Sequence, residues 1–252
     1  MSDHGICHLP LAPLRAEPGD ASEMVSQLLF GQTFDILRSE EKWSLIQNRD
    51  DGYQGYIGNK QFVRITDDEL CNMNSKRQVV NSHDVFVTDV ANNNSFLVPF
   101  GSVLPEEHTF RFGGKEYRHN FFPSHRTLLE TAYSFLNAPY LWGGKSLFGI
   151  DCSGFTQNVF SAQGIQLFRD ASQQVNQGTS VEELACAHLG DLLFFDNDKG
   201  KIIHVGILYD STHIIHASGC VRIDSIDTKG IFNNDLGQYT HRLAQIRRIV
   251  AP

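Results

Sequence analysis

At Pro123 the chain changes texture, and that change limits the folds open to it more than any other feature. Upstream, "MVSQLLFGQTFDILRSEEKWSLIQNRDDGYQGYIGNKQFVRI" (24–65) strings together short runs rich in Phe, Ile, Val and Tyr. The turn signals "EEKW" and "DDGYQG" separate these runs. Strands so short, spaced by about ten residues, read as a small barrel or sandwich. Residues 79–119 repeat the style in "VVNSHDVFVTDV", "FLVPFGSVLP" and "HTFRFGGKEYR". This reads as a second small β module at 79–122, behind a first at 1–78. Downstream, "SHRTLLETAYSFLNA" (124–138) places Leu128, Leu129, Ala132, Phe135 and Leu136 on one helical stripe. Ser124 is its expected N-cap, and Pro139 follows its end. A Gly-rich connection, "WGGKSLFG", leads to a second helix with Phe155, Val159 and Phe160 as apolar positions and Gly164 as the stop. "GDLLFFD" (190–196), "HVGILYD" (204–210), "THIIHAS" (212–218) and "LAQIRRIV" (243–250) then read as strands of an antiparallel sheet. The expected class is α+β over 123–252, preceded by one or two small all-β domains.

With 41% hydrophobic and 20% charged residues, the 252-residue chain can build a packed core. Its formal net charge of −8 disfavours nucleic acid and anionic membrane as partners, since neutralising phosphates needs clustered Lys and Arg. No apolar run is long enough to cross a bilayer. The opening "MSDHGICHLPLAPLRAEPGD" lacks a basic segment followed by an apolar one, so the expectation is a cytoplasmic protein, or one whose leader has been removed. Cysteines at 7, 71, 152, 186 and 220 are odd in number, widely spaced and without a C-x-x-C pair. Reduced thiols are the simplest account, which leaves at least one free for chemistry.

Asp151-Cys152-Ser153 opens the second helix. Unpaired N–H groups and the helix dipole favour negative charge there, so a cysteine in that place is expected to have a lowered pKa, with Asp151 suited to cap. Burial as a small core residue is the other use of such a cysteine. Nucleophilic cysteine chemistry also needs a base, usually held by a third polar group. His204 opens one strand and His216 closes the next. A hairpin with a three-residue loop centred on Asp210 would set His204 directly opposite His216 on one face, with Val205 and Ile215 on the other. Cys152, His204 and His216 could alternatively ligate zinc, although no accompanying H-x-x-x-H or C-x-x-C supports this. No metal or cofactor is expected. His4, His8, His83, His108, His119, His125, His188, His213 and His241 form no comparable pattern and read as surface or structural.

These residues resemble the NlpC/P60 cysteine peptidases. The likeness rests on "APYLWGGKSLFGIDCSGFTQNVF", "LGDLLFFD", "HVGILYD" and "IIHAS", and covers 124–252. It implies a papain-like core that hydrolyses bacterial cell-wall peptides, with Cys152 as nucleophile, His204 as base and His216 as the residue that orients the base. "MVSQLLFGQTFDIL", "KWSLI" and "DGYQGYIGNKQFV" resemble bacterial SH3 (SH3b) domains. Together they resemble the γ-D-glutamyl-L-diamino acid endopeptidases, which release L-Ala-γ-D-Glu from murein tripeptides and tetrapeptides bearing a free L-Ala amine. What the resemblance implies for the substrate-binding residues is Trp142, Asp151, Ser153 and Asp170, together with Glu23 and Tyr53 of the SH3b region, where Tyr56 could replace Tyr53. Ala171 stands where that subgroup often has Ser. A buried ammonium needs paired negative charge, which Glu23 and Asp170 would supply. The rival expectation is a secreted hydrolase of intact wall, tethered by its SH3b domains. A silent wall-binding protein is a third, disfavoured by the presence of Cys152 and His204.

Overall fold

The computed structural model describes residues 3–249, which divide into two compact units, 3–125 with 145–147, and 126–144 with 148–249. None of the described helices is long and apolar enough to cross a membrane.

The first unit is built from short antiparallel strands, as its turn spacing implies. Seven of them form one sheet, in the order Met24–Leu29, Leu11–Arg15, Gln54–Gly58, Trp43–Asn48, Thr33–Ser39, His4–Ile6, Val63–Ile65. Both turns anticipated from sequence are closed by backbone hydrogen bonds: Glu40 N–H donates to the Trp43 carbonyl at 2.8 Å, and Gly52 N–H to the Asn48 carbonyl at 2.9 Å. Alternate side chains point inward, so Cys7, Ala12, Leu14, Leu28, Phe34, Ile46 and Ile57 make one core. The strands Phe86–Asp89, Asn94–Leu97, Thr109–Phe112 and Lys115–His119 form a separate four-stranded sheet. Its Val87, Phe110, Phe112 and Tyr117 pack with Ile6, Phe30, Ile65 and Met73 into a second core.

The second unit has fewer helical residues than expected. The anticipated 124–138 helix is only Leu128–Tyr133, and its N-cap is Thr127 rather than Ser124. Glu130 lies three residues after Thr127 and completes a capping box, whereas Ser124 is engaged with Asn81. The second helix, Cys152–Ser161, starts where expected and buries Phe155, Val159 and Phe160 completely. The expected antiparallel sheet is present, and it closes on itself. Gln238–Arg248, Leu192–Asp196, Ile202–Leu208, His213–Ser218, Cys220–Asp227 and Gly230–Asn233 pair in that order, and the last pairs back to the first, making a six-stranded antiparallel barrel. The two strands at 220–233, and the early start of the last strand, are absent from the sequence reading. Its interior holds Leu193, Phe195, Leu208, Ile214, Ile226, Ile231 and Ile246.

The hairpin register also differs. Gly206, not His204, faces His216. The cause is the Asp210 side chain, which accepts the Thr212 N–H at 2.8 Å and so begins the turn instead of sitting at its centre. The shift is even, so both histidines keep the same face and become diagonal neighbours.

Candidate active site

Asp151 caps the Cys152 helix, accepting the Gly154 N–H at 2.7 Å. Its other oxygen accepts the Gly143 N–H at 2.8 Å. Arg169 grips both oxygens, at 3.0 and 2.6 Å, and also donates to Ser153 Oγ at 2.9 Å. This ion pair is sealed from water, with side chains 1% and 6% exposed. Gln174, fully buried on the short Ala171–Gln174 helix, donates to the Ser153 carbonyl at 3.1 Å and accepts from Thr156 Oγ1 at 2.8 Å. The helix start is therefore fixed from three directions. Phe155 N–H bonds the Asp151 carbonyl, so the Cys152 and Ser153 N–H groups head the helix at its open end.

Cys152 is buried at 6% exposure. The backbone N–H groups of Val205 and Ser153 lie close enough to its sulfur to favour the thiolate. Val205 follows His204 directly, so the thiol sits against the strand segment that carries the expected base. Helix position alone predicts a lowered thiol pKa; instead it is pushed up to about 12, first by burial and then by the Asp151 charge, which outweigh Arg169 and the backbone N–H groups.

His204 Nε2 lies 2.8 Å from His216 Nδ1, with the rings nearly perpendicular at 84°. His216 Nε2 in turn lies 3.1 Å from Asp224 Oδ2. His241 stacks on His204, with centroids 4.2 Å apart and planes at 28°, and Phe195 lies tilted against it at 5.8 Å and 46°. Burial, then the neighbouring His216 and His241, holds His204 well below its ordinary 6.5. His216 and His241 are lowered for the same first reason. Burial thus disfavours the charged forms of both thiol and imidazole, which favours proton transfer as bonds form over a standing ion pair. With both inner nitrogens committed to each other, the histidines do not face a common metal, and the described residues contain no cluster of three or more His, Cys, Asp or Glu arranged to hold one.

Trp142 is 59% exposed, two residues after Tyr140, whose hydroxyl is raised to about 12 by burial and by the nearby Cys152 and Asp151. Asp170 precedes the Ala171–Gln174 helix, and its N–H donates to Gln173 Oε1 at 3.2 Å. In the first unit, Glu23 is exposed just before the Met24–Leu29 strand, and its carbonyl accepts the Ala16 N–H. Tyr53 lies half-buried at the "DDGYQG" turn, its N–H bonded to Asp51 Oδ1 at 3.0 Å, while the alternative Tyr56 accepts from Arg38.

Arg169, Asp224 and His241 escaped the sequence reading. For Asp224 a signal existed: in a hairpin turning at Gly219, residues 216, 222 and 224 share parity and hence a face. Arg169 adjoins Asp170, but nothing in its surroundings foretells burial. His241 joins the cluster only because the barrel closes.

A family model described as the NlpC/P60 family matches residues 137–239, and one described as the bacterial dipeptidyl-peptidase Sh3 domain matches 14–62. The first span includes Cys152, His204 and His216. Among curated relatives, the chain is 27% identical over 255 residues to a gamma-D-glutamyl-L-lysine dipeptidyl-peptidase of Bacillus cereus, covering 86% of this chain and 75% of that protein. With the enzyme of the same name from Bacillus subtilis the identity is 44% over 92 residues, covering 36% of this chain and 31% of the relative. The crystal structure of an NlpC/P60 family protein from Bacillus cereus superposes with a TM-score of 0.81 at 21% identity, covering 98% of this chain and all of that one, a likeness of fold.

Proposed function

We propose, for a chain that carries an NlpC/P60 domain behind a bacterial dipeptidyl-peptidase SH3 domain, that it is a cysteine peptidase acting on murein stem peptides. The bond cut is γ-D-Glu–diamino acid, the substrate carries a free N-terminal L-Ala, and the product is L-Ala-γ-D-Glu. The observation that supports this best is a buried thiol at a helix N-terminus, placed against the strand of a histidine whose far nitrogen is held by a second histidine. The names of the Bacillus relatives favour the γ-D-glutamyl bond. A role in recycling wall peptides inside the cell follows from the free-amine requirement that the resemblance implies.

The His204 Nε2 contact with His216 leaves Nδ1 as the basic nitrogen. Cys152 Sγ attacks the γ-carbonyl while its proton passes to that nitrogen. The Cys152 and Ser153 N–H groups stabilise the oxyanion, reinforced by the helix dipole. His204 then gives the proton to the leaving amine of the diamino acid. Water, deprotonated by the same imidazole, cleaves the thioester and restores the thiol. Asp170 is the acidic group proposed to meet the L-Ala ammonium.

The test is mass spectrometry of defined muropeptide digests with free and N-acetylated L-Ala. The free tripeptide should yield the dipeptide, the acetylated one should persist, and Cys152→Ala should cleave neither. Full hydrolysis by that variant sinks the cysteine mechanism. Preference for intact, glycan-linked peptide would point to the wall hydrolase instead.

A further inference from the structure

The buried relay does not end at His216. Asp224 Oδ2 lies 3.1 Å from His216 Nε2, and the two side chains are 2% and 1% exposed. Arg222 holds the same carboxylate: Nη2 donates to Oδ1 at 2.8 Å, and Nε lies 2.8 Å from Oδ2. Arg222 is itself anchored by Asp235 at 2.7 Å. An ionised carboxylate can only accept. His216 must therefore carry its proton on Nε2 when neutral, which leaves a lone pair on Nδ1. That lone pair can only accept the His204 Nε2–H, which leaves the lone pair of His204 on Nδ1, the nitrogen needed to take the thiol proton. Three proton positions follow from one charge.

We propose that Asp224 is a positioning residue which, held by Arg222, fixes the tautomers of His216 and His204 in series and so keeps the base competent. This rests on the peptidase reading for its consequence in turnover, but not for the tautomers themselves. The other ionisable group stacked against the two rings is His241 from the closing strand, and it makes no hydrogen bond to His216 Nε2 among the described contacts; Cys152 lies by the neighbouring Val205 backbone. The side chain lies diagonally across the hairpin from His216, since Arg222 occupies the directly opposite position.

The decisive variant is Asp224→Asn. Arg222 Nη2 needs an oxygen at the Oδ1 position, whereas its Nε, though near Oδ2, makes no hydrogen bond there, so the amide NH2 turns toward His216. A donor there reverses the chain: His216 becomes Nδ1–H, His204 Nε2 must accept, and Nδ1 of His204 carries a proton. The base is then in the wrong form. We expect kcat on the free tripeptide to fall by about 10²–10⁴-fold, the worth of a general base or of a mis-set tautomer, with KM nearly unchanged. Long-range ¹⁵N–¹H spectra of the imidazoles should show Nε2–H on both histidines in the unmodified protein and the inverted forms in the variant. The proposal is overturned if the unmodified protein shows Nδ1–H on His216, a measurement that needs no variant to fold. It is equally overturned if Asp224→Asn keeps full kcat, or loses it with tautomers unchanged. If the unmodified protein cleaves no stem peptide, the peptidase reading falls, while the spectra still decide the role of Asp224.

Discussion

Arg169→Met tests the anchoring of the nucleophile helix. The substitution keeps length and apolar volume but removes two of the four short contacts to Asp151, together with its counter-charge. Breaking a buried ion pair from one side costs about 3–5 kcal/mol, because the remaining charge is left in a poorly polarisable interior. The Gly143 and Gly154 N–H groups still serve the carboxylate, so the lower end, about 3 kcal/mol, applies here. At ~1.36 kcal/mol per tenfold, that is roughly a 100-fold rise in the opening constant of the helix. Hydrogen exchange of the Thr156–Phe160 amides measures that rise directly, within the second unit alone. Adding Asp151→Asn should recover part of the loss, since the unpaired charge is then gone. A change below about 1 kcal/mol, the range of exposed pairs, would refute the reasoning. So would a double variant as unstable as the sum of the two singles.

Two further outcomes follow from the cluster around His204. His204, His216 and His241 all have folded pKa values below the ordinary 6.5, His241 at about 4. The unfolded chain therefore binds more protons in that window, and the second unit should be fully stable above pH 6.5 and lose stability as the pH falls toward 4, visible as a declining melting temperature; a flat profile from pH 7 to 4.5 would contradict this. Gly206→Ala would set a Cβ 2.7 Å from Ile214 Cδ1 and 2.8 Å from His216 Cβ. We expect a cost of about 1–3 kcal/mol and a fall in kcat as His216 is displaced, read by thermal melts and tripeptide turnover; an unchanged protein would mean the strands part freely.

The change of texture at Pro123 carried the division into β and mixed regions, because period-2 and period-3.6 patterns are local properties. The Cys152 helix was legible through its cap, its glycine stop and its apolar spacing. The hairpin register was not, because a single Asp210 side chain decides where the turn begins, and hydrophobic pattern alone cannot distinguish two registers that differ by an even shift. The thiol's pKa went astray because helix position is written in the sequence, whereas depth of burial is a tertiary property. Arg169 and His241 are likewise products of long-range packing: a charged residue within a solvent-like stretch and a histidine on a strand that meets its partners only after the barrel closes.

That closure has a mechanical consequence. A sheet whose last strand zips onto its first has no selvedge to unravel, so sliding one strand would require every other strand to slide with it. The imidazoles are therefore mounted on a hoop rather than on a free flap. Whatever docks or leaves at the thiol, the separation between the two rings is held by the circumference of the hoop.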